Sequence, residues 1–198
     1  RIFAVYRGNR GWKEMGDGNN NIILKAFVGS GKTTAGIRLS YRLRLPLLDT
    51  YKWIDKEEGR TISEIFALQG EETFRKMETS ALRTLLELEG EQIISTGGGL
   101  PMREENRELL KKLGTVVFLR IKPETVYDRL KGDNTRPLLK KADPMKEIRR
   151  LLELRNPLYQ DTADITVDVD GKDFEEIISE IIDRTGKNKE TDHENTSH

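Results

Sequence analysis

One stretch of the chain, residues 26–33, has the residue types and spacing of a phosphate-binding loop. Its order is Ala26-Phe27-Val28-Gly29-Ser30-Gly31-Lys32-Thr33, between an apolar run and a segment with helical spacing. Glycines let successive backbone N–H groups point at phosphate oxygens, and a helix N-terminus adds partial positive charge. In such a loop the lysine contacts the terminal phosphates and the threonine hydroxyl holds Mg²⁺. We therefore predict a site for a nucleoside triphosphate with magnesium.

Ala26 departs from this pattern, which usually has glycine at the first position. The alanine would be strained by about 1 kcal/mol or more if the backbone there needed a positive φ. The other residues of the loop suffice to bind phosphate, so we expect nucleotide binding to survive the change. A plain glycine turn beside a surface lysine is the alternative, and the order Gly31-Lys32-Thr33 disfavours it.

Strand-like and helix-like segments alternate around this loop. Apolar runs predict strands at residues 22–27, 45–48, 92–95, 115–119 and 165–169. Helical spacing of apolar residues predicts helices at 33–43, 71–89, 104–113, 123–130, 145–155 and 174–182. Strands that alternate with helices indicate an α/β domain in which helices cover both faces of a parallel sheet.

Composition restricts the possible partners. The 198 residues include 34 Lys+Arg and 34 Asp+Glu, so the net charge is zero and no basic field indicates a nucleic acid. The chain has no cysteine, which excludes disulfides and thiolate metal sites and is typical of a reducing compartment. No apolar run approaches the roughly 20 residues that span a membrane. We expect a cytoplasmic protein that binds neither nucleic acid nor membrane.

The two ends of the sequence differ from its middle. Residues 1–21 are rich in Gly, Asn and Arg without helical or strand periodicity, so we expect an irregular extension. Residues 187–198 are polar throughout and are predicted to be a disordered tail. The folded domain is therefore expected at residues 22–186.

Six motifs, in order along residues 22–186, resemble those of the shikimate kinase family. They are Gly29-Ser30-Gly31-Lys32-Thr33, Asp49-Thr50, Phe74-Arg75-Lys76-Met77-Glu78, Ser95-Thr96-Gly97-Gly98-Gly99, Thr135-Arg136-Pro137-Leu138-Leu139 and Arg155-Asn156-Pro157-Leu158-Tyr159. The resemblance implies a three-layer P-loop NTPase fold, a five-stranded parallel sheet of order 2-3-1-4-5 flanked by helices, and a mobile lid at about residues 132–143. It also implies that a monomer transfers the ATP γ-phosphate, with Mg²⁺, to the 3-hydroxyl of shikimate.

The resemblance assigns roles on the nucleotide side. The ATP-binding residues would be Gly29, Ser30, Gly31, Lys32, Thr33, Thr34 and Arg136. Of these, Lys32 and Arg136 would be catalytic, because closure of the lid would bring the arginine charge to the phosphates. Thr33 and Asp49 would hold the metal. Arg129 is expected either near the adenine or on a solvated helix face.

On the acceptor side, the resemblance implies that Arg75 and Arg155 clamp a carboxylate, because a guanidinium binds two oxygens in one plane. A solvated helix face is the alternative for each arginine. Residues Gly97, Gly98 and Gly99 would form the backbone surface under the acceptor ring, at the strand ends where parallel sheets bind ligands. Glu78 is expected to orient Arg75 rather than to touch the substrate.

Tyr51 departs from the resemblance, because the family has Asp-x-Asp where this chain has Asp49-Thr50-Tyr51. The missing carboxylate would bind the substrate hydroxyls and orient or accept the leaving proton. A phenol cannot replace it as a base at neutral pH, and the loss of a base costs on the order of 10²- to 10⁴-fold in rate. A phenol in the pocket would also occupy the place of the ring.

Positioning contributes more than proton removal to phosphoryl transfer, so we expect a slowed shikimate kinase. Two alternatives stay open: a catalytically impaired nucleotide-binding relative, and a kinase for another small hydroxy carboxylic acid.

Overall fold

The computed structural model describes residues 3–6, 12–15, 20–133 and 137–187. Within these residues the strands are β1 (Phe3–Tyr6), β2 (Trp12–Met15), β3 (Asn21–Ala26), β4 (Leu47–Asp49), β5 (Ile93–Ser95), β6 (Gly114–Arg120) and β7 (Ile165–Asp168). The α-helices are α1 (Lys32–Leu43), α2 (Thr50–Glu58), α3 (Ile62–Leu86), α4 (Glu104–Leu113), α5 (Pro123–Leu130), α6 (Pro144–Thr162) and α7 (Phe174–Thr185). Short 3-10 helices lie at Leu100–Met102 and Pro137–Lys140.

Strands β3 to β7 form a parallel sheet in the order β4-β5-β3-β6-β7. Numbered along the chain within this sheet, the order is 2-3-1-4-5, which confirms the predicted topology. Leu24 of the central strand lies between Ser95 of β5 and Val117 of β6. Because all five strands run the same way, the turns that follow β3, β4 and β5 meet at one edge of the sheet.

Both faces of the sheet are buried, as near-continuous apolar strands require. On one face, Ile22 packs in a core with Leu39 of α1 and Ile178 of α7. On the other face, Ile23 packs with Leu82 of α3 and with residues of α4. The alternate side chains of β3 thus contribute to two cores, and the domain has three layers.

Helices α3 and α6 depart most from their predicted bounds. Helix α3 begins at Ile62, and Gly70 interrupts it with a φ of 81° and a ψ of 170°. The segment before this glycine was missed because the break divides the helical pattern. Helix α6 continues through Pro157 to Thr162, whereas the prediction stopped at 155 because proline usually ends a helix.

The ends of the described domain differ from expectation. Strands β1 and β2 pair antiparallel within the extension that was expected to be irregular, through backbone bonds that composition does not reveal. Lys187, assigned to the polar tail, is buried, and its Nζ donates to Glu91 Oε2 at 2.7 Å and to the Asn20 carbonyl at 3.2 Å. The domain therefore includes residues 20 to 187. None of the helices in the described ranges has the length and apolar character that crossing a membrane requires.

Candidate active site

The turn from β3 into α1 has the geometry of a phosphate-binding loop. Gly29 and Gly31 have φ values of 84° and 83°, a conformation that glycine adopts without strain. The Ser30 N–H donates to the Phe27 carbonyl at 3.3 Å and closes the turn. Helix α1 starts directly after Gly31, so its first N–H groups are available to an anion at the loop.

Ala26 is not strained in this structure. It is the last residue of β3, pairs with Leu119 of β6 and does not have a positive φ. An extended backbone accepts alanine without penalty, because the left-handed region is the one that favours glycine. The departure from the usual pattern therefore leaves the shape of the loop intact.

Lys32 lies where the phosphate loop meets the glycine turn after β5. Its Nζ donates a hydrogen bond to the carbonyl of Thr96, the residue before that turn. Burial lowers the pKa of Lys32 to about 8, although the charges of Asp49 and Glu78 act in the opposite direction. A phosphate bound in the loop would favour the protonated amine.

The residues predicted for the metal present oxygen atoms near the loop. Thr33 is exposed in the first turn of α1. Asp49 ends β4, and its Oδ1 accepts from the N–H groups of Tyr51 at 2.9 Å and Lys52 at 3.2 Å. In the described part of the chain, no group of three or more His, Asp or Glu side chains forms a metal site. A hydroxyl and one carboxylate fit a magnesium ion that takes its other ligands from phosphate and water.

Arg75, which is partly exposed, forms an ion pair with the buried Glu78 on α3. Arg75 donates from Nη1 to Glu78 Oε2 at 2.7 Å and from Nη2 to Glu71 Oε1 at 3.2 Å. Burial alone would lower the pKa of Arg75, but the hydrogen bond and charge of Glu78, together with the hydrogen bond to Glu71, outweigh burial and raise the pKa. Burial raises the pKa of Glu78, whose Oε1 has no hydrogen-bond partner. The expected contact between Glu78 and Arg75 is present.

The glycine turn, residues 97–99, is covered by side chains from three helices. A Cβ atom at Gly99 would lie 2.3 Å from Arg75 Nη2, and one at Gly98 would lie 3.3 Å from Arg155 Nη1. At Gly97 it would lie 2.3 Å from the Tyr51 ring. The absence of side chains at these glycines lets Tyr51, Arg75 and Arg155 approach the backbone closely. The predicted acceptor residues therefore lie around one turn.

The Tyr51 ring lies over Gly97, on the surface that the resemblance implies for the acceptor. It packs edge-to-face against Phe74, with ring centroids 5.7 Å apart. Burial raises the pKa of Tyr51, helped by the charge of Glu78 and opposed by Arg75 and Arg155. The phenol is therefore neutral at neutral pH and is not a base there.

Two aromatic contacts at the site were missed from the sequence. A Cβ atom at Gly31 would lie 2.9 Å from the ring of Phe174, the first residue of α7. Arg129 donates from Nη1 to the Gly29 carbonyl at 2.8 Å, so this ring and a guanidinium flank the phosphate loop. The Tyr159 hydroxyl donates to the Gly98 carbonyl at 2.5 Å. Tyr159 belongs to the Arg155 motif, which was the available signal, whereas nothing local marked Phe174.

Arg136, predicted to be catalytic, lies outside the described residues, as do the lid residues 134 and 135. The lid segment that follows is a 3-10 helix, of which Leu138 and Leu139 pack against the core. The role of Arg136 and the mobility of the lid stay predictions.

The fold and the site together define a class. A phosphate loop on the central strand of a parallel sheet faces two arginines and a glycine turn at the same edge. This is the arrangement of a P-loop kinase that phosphorylates a small anionic acceptor.

Comparisons with known proteins identify the family. A family model for shikimate kinase matches residues 28–185. The shikimate kinase of Symbiobacterium thermophilum is 39% identical over 166 residues, which is 83% of this chain and 95% of that protein. The Neisseria gonorrhoeae shikimate kinase is 43% identical over 150 residues, 76% of this chain and 88% of the relative. A solved structure of Acinetobacter baumannii shikimate kinase in complex with shikimate superposes with a TM-score of 0.77 at 35% identity, covering 86% of this chain and 95% of that one. The chain belongs to the shikimate kinase family.

Proposed function

We propose that this chain transfers the γ-phosphoryl group of ATP to the 3-hydroxyl of shikimate, giving ADP and shikimate 3-phosphate. One observation carries the proposal: Arg75 and Arg155 converge on the glycine turn directly after the carbonyl that Lys32 binds. A carboxylate held by the two guanidinium groups would place a ring on Gly97–Gly99, beside the terminal phosphate. Membership of the shikimate kinase family supports the same reaction.

On the nucleotide side, the backbone N–H groups of the loop at Gly29–Gly31 would hold the phosphates. Lys32 would leave the Thr96 carbonyl for the phosphate oxygens, which favour its charged form. Thr33 and Asp49 are the residues that would hold Mg²⁺, which neutralises charge on the phosphates when bound. Phe174 and Arg129 flank the loop, and we propose that they contact the adenine.

On the acceptor side, the ion pair with Glu78 fixes the Arg75 guanidinium, and Arg155 contacts the Phe27 ring with 5.7 Å between Cζ and the centroid. Two fixed guanidinium groups can bind one carboxylate by paired hydrogen bonds. Gly97 is covered by the Tyr51 ring, so that ring must rotate away when the acceptor enters. Turnover is expected to be slow, because the chain bears no carboxylate at position 51 to orient the leaving proton.

The test is a coupled ADP-release assay with MgATP, with and without shikimate. The proposal expects ADP formation that depends on shikimate. The methyl ester of shikimate is the matched control, because it keeps the three hydroxyls and removes the charge. Its KM should be roughly 10- to 100-fold higher if the two arginines bind the carboxylate.

Two outcomes would contradict this proposal and favour the alternatives. MgATP binding in calorimetry without shikimate binding or shikimate-dependent ADP would indicate a catalytically impaired nucleotide-binding relative. A higher kcat/KM for another hydroxy carboxylic acid would indicate a kinase with a different acceptor, in a pocket that Tyr51 has reshaped. The expectations of a monomer, of a cytoplasmic location and of no nucleic-acid partner stay predictions.

A further inference from the structure

A lysine lies buried in the central strand, next to the phosphate loop. Lys25 of β3 has 0% of its surface exposed, and its neighbour across the sheet is Phe118 of β6. Its Nζ is 6.0 Å from the Phe118 ring centroid and 5.8 Å from that of Tyr159, within the range of cation–π attraction. A buried ammonium group loses its hydration at a large cost in free energy, so it requires polar contacts within the fold.

One such contact is with the last turn of α6. The Lys25 Nζ donates to the backbone carbonyl of Tyr159, which also accepts from the Ala163 N–H at 3.0 Å. Carbonyl groups at a helix C-terminus carry partial negative charge, which a cation stabilises. Lys25 therefore links the central strand to the end of α6.

Pro157 makes this link important for the geometry of the helix end. Proline has no N–H, so the bond from residue 157 to the Glu153 carbonyl is missing, and the proline ring pushes that carbonyl away. The turn from residue 153 to 157, which carries Arg155, is therefore held less firmly by the helix itself. A contact from outside the helix, such as that of Lys25, then helps to decide where the last turn lies.

The same turn of α6 supports the acceptor site. The Tyr159 hydroxyl donates to the Gly98 carbonyl at 2.5 Å, and burial raises the pKa of this phenol to about 12. A Cβ atom at Gly98 would lie 3.3 Å from Arg155 Nη1, 3.4 Å from the Tyr159 hydroxyl oxygen and 3.5 Å from the Ala26 carbonyl oxygen. Gly98 thus lies between α6, which Lys25 contacts, and Ala26, which follows Lys25 in the chain.

We propose that Lys25 is a positioning residue of the acceptor site. Through Tyr159, whose hydroxyl lies beside Gly98 together with Arg155 Nη1, it fixes the Arg155 guanidinium relative to Gly98 and so sets the affinity for the acceptor carboxylate. Lys25 does not itself touch the acceptor in this arrangement. The inference rests on the proposed function, because it assumes that Arg155 binds the carboxylate of shikimate.

The test uses Lys25→Met, which keeps the length and apolar stem of the side chain and removes its charge and donor. Lys187→Met is the matched control. Lys187 is also buried, at 8% exposure, but its partners Glu91 and Asn20 lie at the opposite edge of the sheet. Lys25→Met should raise the KM for shikimate about tenfold and change the KM for ATP less than about twofold, since a small displacement of a binding group is enough for such an effect. Lys187→Met should change neither KM.

Hydrogen exchange measured by mass spectrometry gives a second readout that needs no substrate. Peptides that cover residues 97–99 and 155–163 should exchange faster in Lys25→Met than in the unsubstituted chain, and should be unchanged in Lys187→Met. If the unsubstituted chain shows no shikimate-dependent turnover, the proposed function fails, and exchange in these peptides still decides whether Lys25 holds them.

Three results would overturn the role of Lys25. These are an unchanged shikimate KM in Lys25→Met, an equal rise in both KM values, or exchange that changes alike in both lysine variants. If Lys25→Met does not fold, Tyr159→Phe replaces it, because it removes the hydroxyl link to Gly98 while leaving Lys25 in place. An unchanged shikimate KM in Tyr159→Phe would then contradict the proposal.

Discussion

The phosphate loop comes from one continuous segment, whereas the proposed acceptor side is assembled from four separate parts of the chain. Residues 26–33 supply the phosphate loop and its lysine. The acceptor surface needs the start of α2, the middle of α3, the turn after β5 and the C-terminal half of α6. Backbone groups dominate the phosphate loop, and particular side chains dominate the proposed acceptor side.

Because of this difference, we expect the departures at Ala26 and Tyr51 to have unequal consequences. Ala26 lies in extended backbone, and the N–H groups of the loop keep their directions when it replaces glycine. Tyr51 stands where the resemblance implies an aspartate, whose carboxylate no backbone group can imitate, and the Tyr51 ring covers Gly97. The part of a site that is built from backbone groups tolerates substitution better than the part that is built from side chains.

The largest expected effect is on the nucleotide side, at Lys32. Lys32→Met should lower kcat/KM by about 10²- to 10³-fold, because it removes a charge that stabilises the transferring phosphoryl group. The coupled ADP assay measures it, with the exposed Lys56→Met as control. A loss of less than about tenfold would mean that the backbone of the loop is sufficient for phosphoryl transfer without the Lys32 charge.

The next effect has the opposite sign and lies on the acceptor side. Tyr51→Asp should raise kcat about 100-fold, because it restores a carboxylate near the acceptor hydroxyl and uncovers Gly97. Tyr41→Asp on α1 is the matched control, since Tyr41 is 81% exposed and far more accessible than Tyr51. If turnover of Tyr51→Asp equals that of the unsubstituted chain, the role assigned to position 51 is wrong.

Binding of the acceptor should depend on the planar geometry of its arginines, and not only on their charge. Arg155→Lys should raise the KM for shikimate roughly 10- to 100-fold, because an ammonium group cannot bind two carboxylate oxygens in one plane. Steady-state kinetics with both substrates would show an almost unchanged KM for ATP. Arg150→Lys, on the exposed face of the same helix and paired with Glu147, is the control. Equal KM values for the two variants would remove Arg155 from the carboxylate site.

A pH profile of the unsubstituted chain tests the nucleotide side alone, because the acceptor residues are left unchanged. Burial lowers the pKa of Lys32 to about 8, so the free protein carries the needed charge below that pH and loses it above. The kcat/KM for ATP should therefore be level at neutral pH and fall about tenfold per pH unit well above pH 8. Lys32→Arg is the control, since arginine stays charged throughout. The same fall in that variant would assign the titration to another group.

The smallest expected effect is at Ala26. Ala26→Gly should change the Kd for MgATP less than about twofold in calorimetry, and should lower the free energy of unfolding by about 0.5–1 kcal/mol. Gly31→Ala is its counterpart, because there the φ is 83° and Phe174 leaves no room. That variant should lose most nucleotide binding. Tenfold tighter binding by Ala26→Gly would show that alanine is a real defect.

Much of the fold follows from local patterns. The predicted helices at 104–113 and 123–130 match α4 and α5 residue for residue, and the sheet order was implied by the family resemblance. The loop residues were found because they are contiguous. Local patterns failed where tertiary contacts decide: α6 continues past Pro157, with its last turn bound by Lys25.

The unpredicted parts of the site have the same cause. The Phe174 ring reaches Gly31 from the last helix of the domain, and no local spacing in the sequence joins the two. Lys25 stands in an apolar run that predicts a strand, and its contact with Tyr159 depends on how α6 crosses that strand. Such pairings require the packed structure.

The contact between Lys187 and Asn20 has a consequence for chain connectivity. The Lys187 Nζ lies 3.2 Å from the Asn20 carbonyl, so the two ends of the domain are neighbours at the sheet edge opposite the site. A short linker from 187 to 20 would let the chain be opened elsewhere, for example at the exposed Gly171 turn between β7 and α7. In such a circular permutant α7 would come first, and each strand of the five-stranded parallel sheet would keep its neighbours. The packing of the segments would then not depend on the order in which the chain links them.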